Sequence, residues 1–182
     1  MLRRMHRRLP PFLVKTIYIS VIRPSLEYAA AVWGNFCASD NWLLERVQLQ
    51  VAKMLCPSNM IGSHLSLLLK YLHLPTLAWR RRQHRLELLW KLLHGQGPPD
   101  LVSQLPVLQQ NRVSVAKYSL RRRCSITQLR PRTVHEATSW LCQATTEWNQ
   151  LPEAAQSANK LTTFKQLCCT GFSKDKFSFG LV

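Results

Sequence analysis

Acidic residues are scarce in this chain. Nine Asp and Glu stand against 25 Lys and Arg in 182 residues, for a formal net charge of +16 and an isoelectric point near 10.3. No two acids are adjacent, and Asp40, Asp100 and Asp175 are isolated. The clustered carboxylates that hold Mg²⁺ in two-metal polymerases and nucleases are therefore missing, and nothing points to a glycosidase-type acid/base pair. The six cysteines include no C-x-x-C pair, and the Cys168-Cys169 doublet is a poor chelate for one zinc ion. Ser20 and Ser25 have no His/Asp partners that would make either a hydrolase nucleophile. Six Gly and ten Pro exclude a collagen-like or low-complexity chain. Apolar runs are short: the densest, Leu65 to Leu69, stops at Lys70, far below the ~20 residues of a membrane span. Pro10 and Pro11 break the basic N-terminus before any secretory core can form. Reduced thiols and an intracellular location, cytoplasmic or nuclear, are the expectation.

What is present is hydrophobic material and positive charge. At 46% hydrophobic residues the chain can build one domain or two small ones, which excludes intrinsic disorder. A compact body with this charge imbalance repels itself unless a polyanion screens it. Nucleic acid is the commonest such partner and an anionic membrane surface the next. Seven Lys and Arg with no acid lie between Leu101 and His135, which sharpens the expectation. The alternative is a basic, solvated face.

The apolar period is helical almost throughout, so the expected class is mainly α. Leu13, Ile17 and Val21 with Val14, Tyr18 and Ile22 make one broad face. Pro24 is expected to interrupt it, with Ser25 capping a second helix that runs to Gly34. A third follows Asp40, a short apolar helix covers 63–71, and the best-defined one runs from about Thr76 to His94. Gly95 is its predicted C′ residue, and Pro98-Pro99 prevents continuation. Residues 101–130 suit a loop or small hairpin; helices are expected over 134–149 and 160–168, with a frayed tail from Thr170. A composition break at 95–100 suggests two subdomains. Arg80, Arg81, Arg82 and Arg85 crowd the first two turns of the 76–94 helix, where its dipole favours anions. An outside phosphate would explain them; so would arginine stems covering apolar surface beneath solvated heads.

Three segments, taken in order, carry a resemblance. LVKTIYISVIRPSLEYAAAVWGN (13–35) is followed by LLERVQLQVAKMLC (43–56). LHLPTLAWRRRQHRLELLWKLLHGQGP spans 72–98, and TEWNQLPEAAQSANKLTTFKQL spans 146–167. Together they resemble the region C-terminal to the catalytic palm in reverse transcriptases of jockey-like, non-LTR (LINE-type) retrotransposons. The matched positions include Tyr18, Pro24, Glu27, Tyr28 and Trp33, then Glu45 and Gln48. Leu74, Pro75, Arg81, Arg82, Arg85 and Gly95 follow, and the closing Trp148, Asn149, Leu151, Pro152, Phe164 and Lys165 complete the pattern.

The resemblance implies a basic segment over 1–11, a thumb-like helical bundle over 12–95 and a basic linker over 96–130. A smaller helical C-terminal region over 131–169 and a flexible tail over 170–182 complete it. The family's polymerase carboxylates lie upstream of the matched region, and this chain has no Asp-Asp. The implied protein is thus a polymerase fragment with no catalytic residue, cofactor or metal of its own, Mg²⁺ belonging to the missing palm. Its implied partners are the RNA or DNA backbone of a template–primer and the absent palm and fingers. A thumb lays shape and positive charge against a duplex without reading bases. Lys15, Arg23, Arg80, Arg81, Arg82, Arg85, Arg121, Arg122 and Arg123 suit that work, and Trp79, set among arginines, is a stacking candidate. The other tryptophans are expected in the core. The alternative function is a degenerate, transposon-derived helical interaction module or a remnant without function.

Overall fold

The computed structural model describes residues 4, 8–33, 38–57, 60, 63–103, 105, 126 and 129–171. The protein is mainly helical, as the apolar period predicts, and no strand occurs among the described residues. In chain order the elements are α1 (Pro11–Ile17), a π-helical turn (Tyr18–Ile22), α2 (Arg23–Glu27), α3 (Ala30–Trp33), α4 (Ala38–Leu55), α5 (Leu65–Tyr71) and α6 (Leu77–Leu93). Then come α7 (Pro99–Ser103), α8 (Val134–Ala137), α9 (Trp140–Asn149), α10 (Glu153–Gln156) and α11 (Leu161–Gly171). The hairpin or loop expected within 101–130 falls almost wholly outside the described residues, as does the tail beyond Gly171.

The chain forms two compact units. The described residues among 4–30 and 38–81 make the first, and those among 31–33 and 82–171 the second. The composition break at 95–100 lies inside the second unit. The division falls instead between Arg81 and Arg82, so α6 supplies residues to both.

In the first unit α1 packs on α4 and α4 on α5. Tyr18, Val51, Ala52, Leu65, Leu68, Leu69, Leu72 and Leu74 make its core. Pro24 does not interrupt the first helix as expected. Residues 11–27 stay helical because the π turn, in which Arg23 N–H reaches the Tyr18 carbonyl, widens the backbone just before the proline ring. A proline in a regular helix would meet the carbonyl four residues back. Ser25 is no cap either, since its hydroxyl donates to the Val21 carbonyl at 3.1 Å. The chain turns instead at Tyr28 and Ala29, where Ala29 takes a positive φ of 50°.

The second unit is built on aromatics. Trp90, Trp148 and Phe164 meet at its centre, with ring centroids 6.0 Å apart for Trp90–Phe164 and 5.6 Å for Trp148–Phe164. The buried Trp90 indole donates to the Ala158 carbonyl at 3.0 Å, so its one polar atom is satisfied. The helix expected over 134–149 is two helices. Ser139 accepts from Cys142 N–H and starts α9 afresh, while Thr133 accepts from Glu136 N–H to start α8.

Candidate nucleic-acid interface

The arginines of α6 concentrate positive charge at a helix N-terminus, and the structure supplies the missing anions from elsewhere in the chain. Thr76 is the N-cap, its hydroxyl accepting from Trp79 N–H at 3.2 Å. The Glu45 carboxylate, from α4, accepts from Ala78 N–H at 2.9 Å and also from Leu77 N–H. Arg80 N–H reaches the Thr76 carbonyl. The three N–H groups of the first turn of α6, Leu77, Ala78 and Trp79, are thereby accounted for. At the other end Gly95, with φ of 68°, closes a Schellman motif as predicted: Gly95 N–H donates to Leu92 and Gln96 N–H to Lys91.

Among the described residues, each arginine proposed for an outside phosphate has an inside partner. The Arg80 guanidinium forms a two-point pair with Glu27, donating from Nε to Oε1 and from Nη2 to Oε2, the latter at 2.8 Å. Arg23, 3.8 Å from the same carboxylate, sits in a partly buried site. Burial first, and then the like charge of Arg80, pull its guanidinium below its ordinary pKa. Arg81 is 2% exposed and donates to Asn41 Oδ1 at 2.6 Å, with Glu45 nearby. In the second unit Arg85 donates twice to Glu147, at 2.6 and 3.3 Å, and Arg82 donates to Gln150 Oε1 at 2.8 Å. Lys15 Nζ donates to the Leu72 carbonyl at 2.8 Å and so caps the C-terminus of α5. Trp79 is buried. These seven side chains are therefore engaged inside the fold, a role that the expectation of a phosphate-binding or stacking surface did not include. Arg121, Arg122 and Arg123 lie outside the described residues.

The motifs that carry the family resemblance find structural reasons in the same way. Tyr18 donates to Gln48 Oε1 and Gln48 Nε2 donates to the Pro75 carbonyl, both at 2.8 Å. Burial above all, and then the Glu45 charge, push the Tyr18 phenol up. Glu45 is fully buried, with Oε2 lacking a hydrogen-bond partner. Desolvation raises its carboxyl against the opposing pull of Ala78 N–H and Arg81. In the second unit Trp148 and Leu151 fill the core, while Asn149 clamps the backbone of Ile126, accepting from its N–H and donating to its carbonyl at 2.9 Å each. Gln156 Nε2 donates to the Trp148 and Leu151 carbonyls and closes α9. Sequence reasoning missed Glu27, Glu45 and Glu147 as the anions of the arginine cluster. The signal was the cluster itself, which needed anions that nothing within α6 supplied.

The internal pairing sharpens the charge count. Arg23, Arg80, Arg81, Arg82, Arg85 and Lys165 face Glu27, Glu45, Glu87 and Glu147. Beside these groups the sequence holds nineteen further Lys and Arg and five further Asp and Glu. Among the described residues Arg4, Arg8, Arg46, Lys53, Lys70, Lys91, Arg130, Arg132 and Lys160 are exposed. An open cleft lined by Leu129, Pro131, Cys142, Thr146 and Glu147 offers one carboxylate, already held by Arg85. No group of three potential metal-ligating side chains occurs among the described residues, and no described helix is long and apolar enough to cross a membrane. No protein-family model, no curated protein and no solved structure matches this chain.

Proposed function

We propose that this protein binds the backbone of nucleic acid without catalysing a reaction, as the thumb and post-thumb piece of a LINE-type retrotransposon reverse transcriptase would. The observation that carries the reading is the charge of the chain, 25 Lys and Arg to nine Asp and Glu, with seven Lys and Arg and no acid between Leu101 and His135. Contact falls to cations other than the α6 arginines: Arg130 and Arg132, which are exposed, and Arg121, Arg122 and Arg123 in the acid-free run before them. Such contact is sequence-tolerant and steeply salt-dependent, because each neutralised phosphate releases counterions.

The test is fluorescence anisotropy of a labelled RNA–DNA hybrid over a salt series. Five neutralised phosphates give a slope of about −4 in log affinity against log salt. Replacing Arg121, Arg122 and Arg123 with Ser is expected to bring the slope up by about 2 to 3. A slope near zero in the parent chain overturns the reading. An unchanged slope in the triple variant moves the contact elsewhere on the basic surface.

A further inference from the structure

The first helix presents an outward face that the core does not use. Phe12 is 66% exposed and Val21 61%, and Leu13, Thr16, Ser20 and Pro24 are exposed beside them. In a regular helix Val21, seven residues after Val14, would share its buried side. The π turn over Tyr18–Ile22 inserts one extra residue, which shifts the register by roughly 100° and turns Val21 outward onto the side of Phe12 and Leu13. The hydroxyls on this face do not call for water. Thr16 donates to the Phe12 carbonyl at 2.9 Å, Ser20 to Thr16 at 2.8 Å and Ser25 to Val21 at 3.1 Å. The face therefore shows methyl and methylene groups with its hydroxyl donors already satisfied.

Charge indicates what covers it. No acid occurs before Glu27, and Arg3, Arg4, Arg7 and Arg8 immediately precede the face; Arg4 and Arg8 are exposed. A second copy of a +16 chain is repelled by this end. A protein partner, the absent palm and fingers included, has use for the apolar strip and none for the exposed Arg4 and Arg8. Nucleic acid has use for the arginines and none for the apolar strip. An anionic lipid surface has use for both: headgroups take the cations and the acyl boundary takes Phe12, Leu13 and Val21. We infer that Arg4 and residues 8–25 dock this protein on anionic membranes, with the outward face of α1 and the π turn lying in the interface plane.

The experiment is flotation of the full chain with vesicles of phosphatidylcholine containing roughly 30% phosphatidylserine, and with pure phosphatidylcholine. Because a +16 protein adsorbs to any anionic vesicle by charge alone, the decisive reading is taken at about 0.5 M salt, where screening leaves the apolar term. The parent chain stays bound to the anionic vesicles there, and F12S/V21S binds roughly tenfold less or weaker still. Both positions are exposed, and an unchanged circular dichroism spectrum checks the fold. Thr16→Glu keeps both apolar side chains, places a charge mid-face and is expected to lose binding as well. Full release of the parent chain by salt overturns the inference, as does equal binding by F12S/V21S and the parent. It is also overturned if the hybrid-binding affinity falls with the same substitutions, which gives the face to nucleic acid. A concentration-dependent dimer abolished by F12S/V21S gives it to a second copy and overturns it too.

Discussion

The two units solve one problem by different means. Both receive arginines from α6, and both must keep a carboxylate beside them. In the first unit that carboxylate is inside a polar network: Glu45 on the α6 N-terminus, Arg81 on Asn41, and Tyr18 through Gln48 to Pro75. In the second, Glu147 holds Arg85 near the surface while Trp90, Trp148 and Phe164 fill the centre. Apolar burial is forgiving of direction but not of volume. A buried polar network is the reverse, since one missing partner leaves a charge or dipole unpaired. The first unit is thus specified by geometry and the second by shape.

Substitutions that break this contrast rank accordingly. Trp148→Ala empties the aromatic centre and is expected to cost about 3–5 kcal/mol in urea unfolding. Arg81→Ala, which removes the partner of a buried carboxylate, follows at about 3 kcal/mol, whereas Lys70→Ala on the exposed face of α5 stays within about 0.5 kcal/mol. Replacing Arg80, Arg81 and Arg82 with Ser therefore lowers the melting temperature before it weakens any phosphate contact. Tyr18→Phe leaves Gln48 Oε1 without its donor and costs about 1–2 kcal/mol.

A pH series sharpens the comparison further. Burial raises the Glu45 carboxyl in the folded chain above its ordinary value of 4.5, so folding favours its protonated form. The associated stability is present in full below the unfolded pKa and is lost as pH rises through the folded one. Melting curves from pH 4 upward are expected to show this decline in the parent and to lack it in Glu45→Gln. Cysteine chemistry gives the smallest effect: burial pushes the Cys168 thiol up to about 12, while Cys142 and Cys169 are only half-buried. Iodoacetamide at pH 8 modifies those two before Cys168, read by peptide mass.

The helical class, the Gly95 stop and the burial of Trp90 were legible because each follows from local periodicity, local backbone chemistry or side-chain character. The helix breaks were less so. Nothing in the period shows that a π turn will absorb Pro24, since the competing outcomes differ by one residue of register. Ser139 reads as an ordinary polar position until its hydroxyl is seen to cap Cys142. The internal anions of the candidate site were hidden for a long-range reason. Glu27, Glu45 and Glu147 lie 53, 36 and 62 residues from Arg80, Arg81 and Arg85, and no window along the chain joins them. Scarce acids beside abundant arginines suggested an anion from outside. The fold had placed its few acids where the arginines were.

The Asn149 clamp on Ile126 has a bearing on how the second unit is closed. Leu105 packs against the aromatic core and Ile126 is held in it at backbone and side chain alike, so two points 21 residues apart in the sequence are brought to one core. The entropic cost of joining distant points grows only with the logarithm of their separation, about 0.6 kcal/mol for each doubling. Two hydrogen bonds from one side chain therefore go far toward holding the second of those points in place.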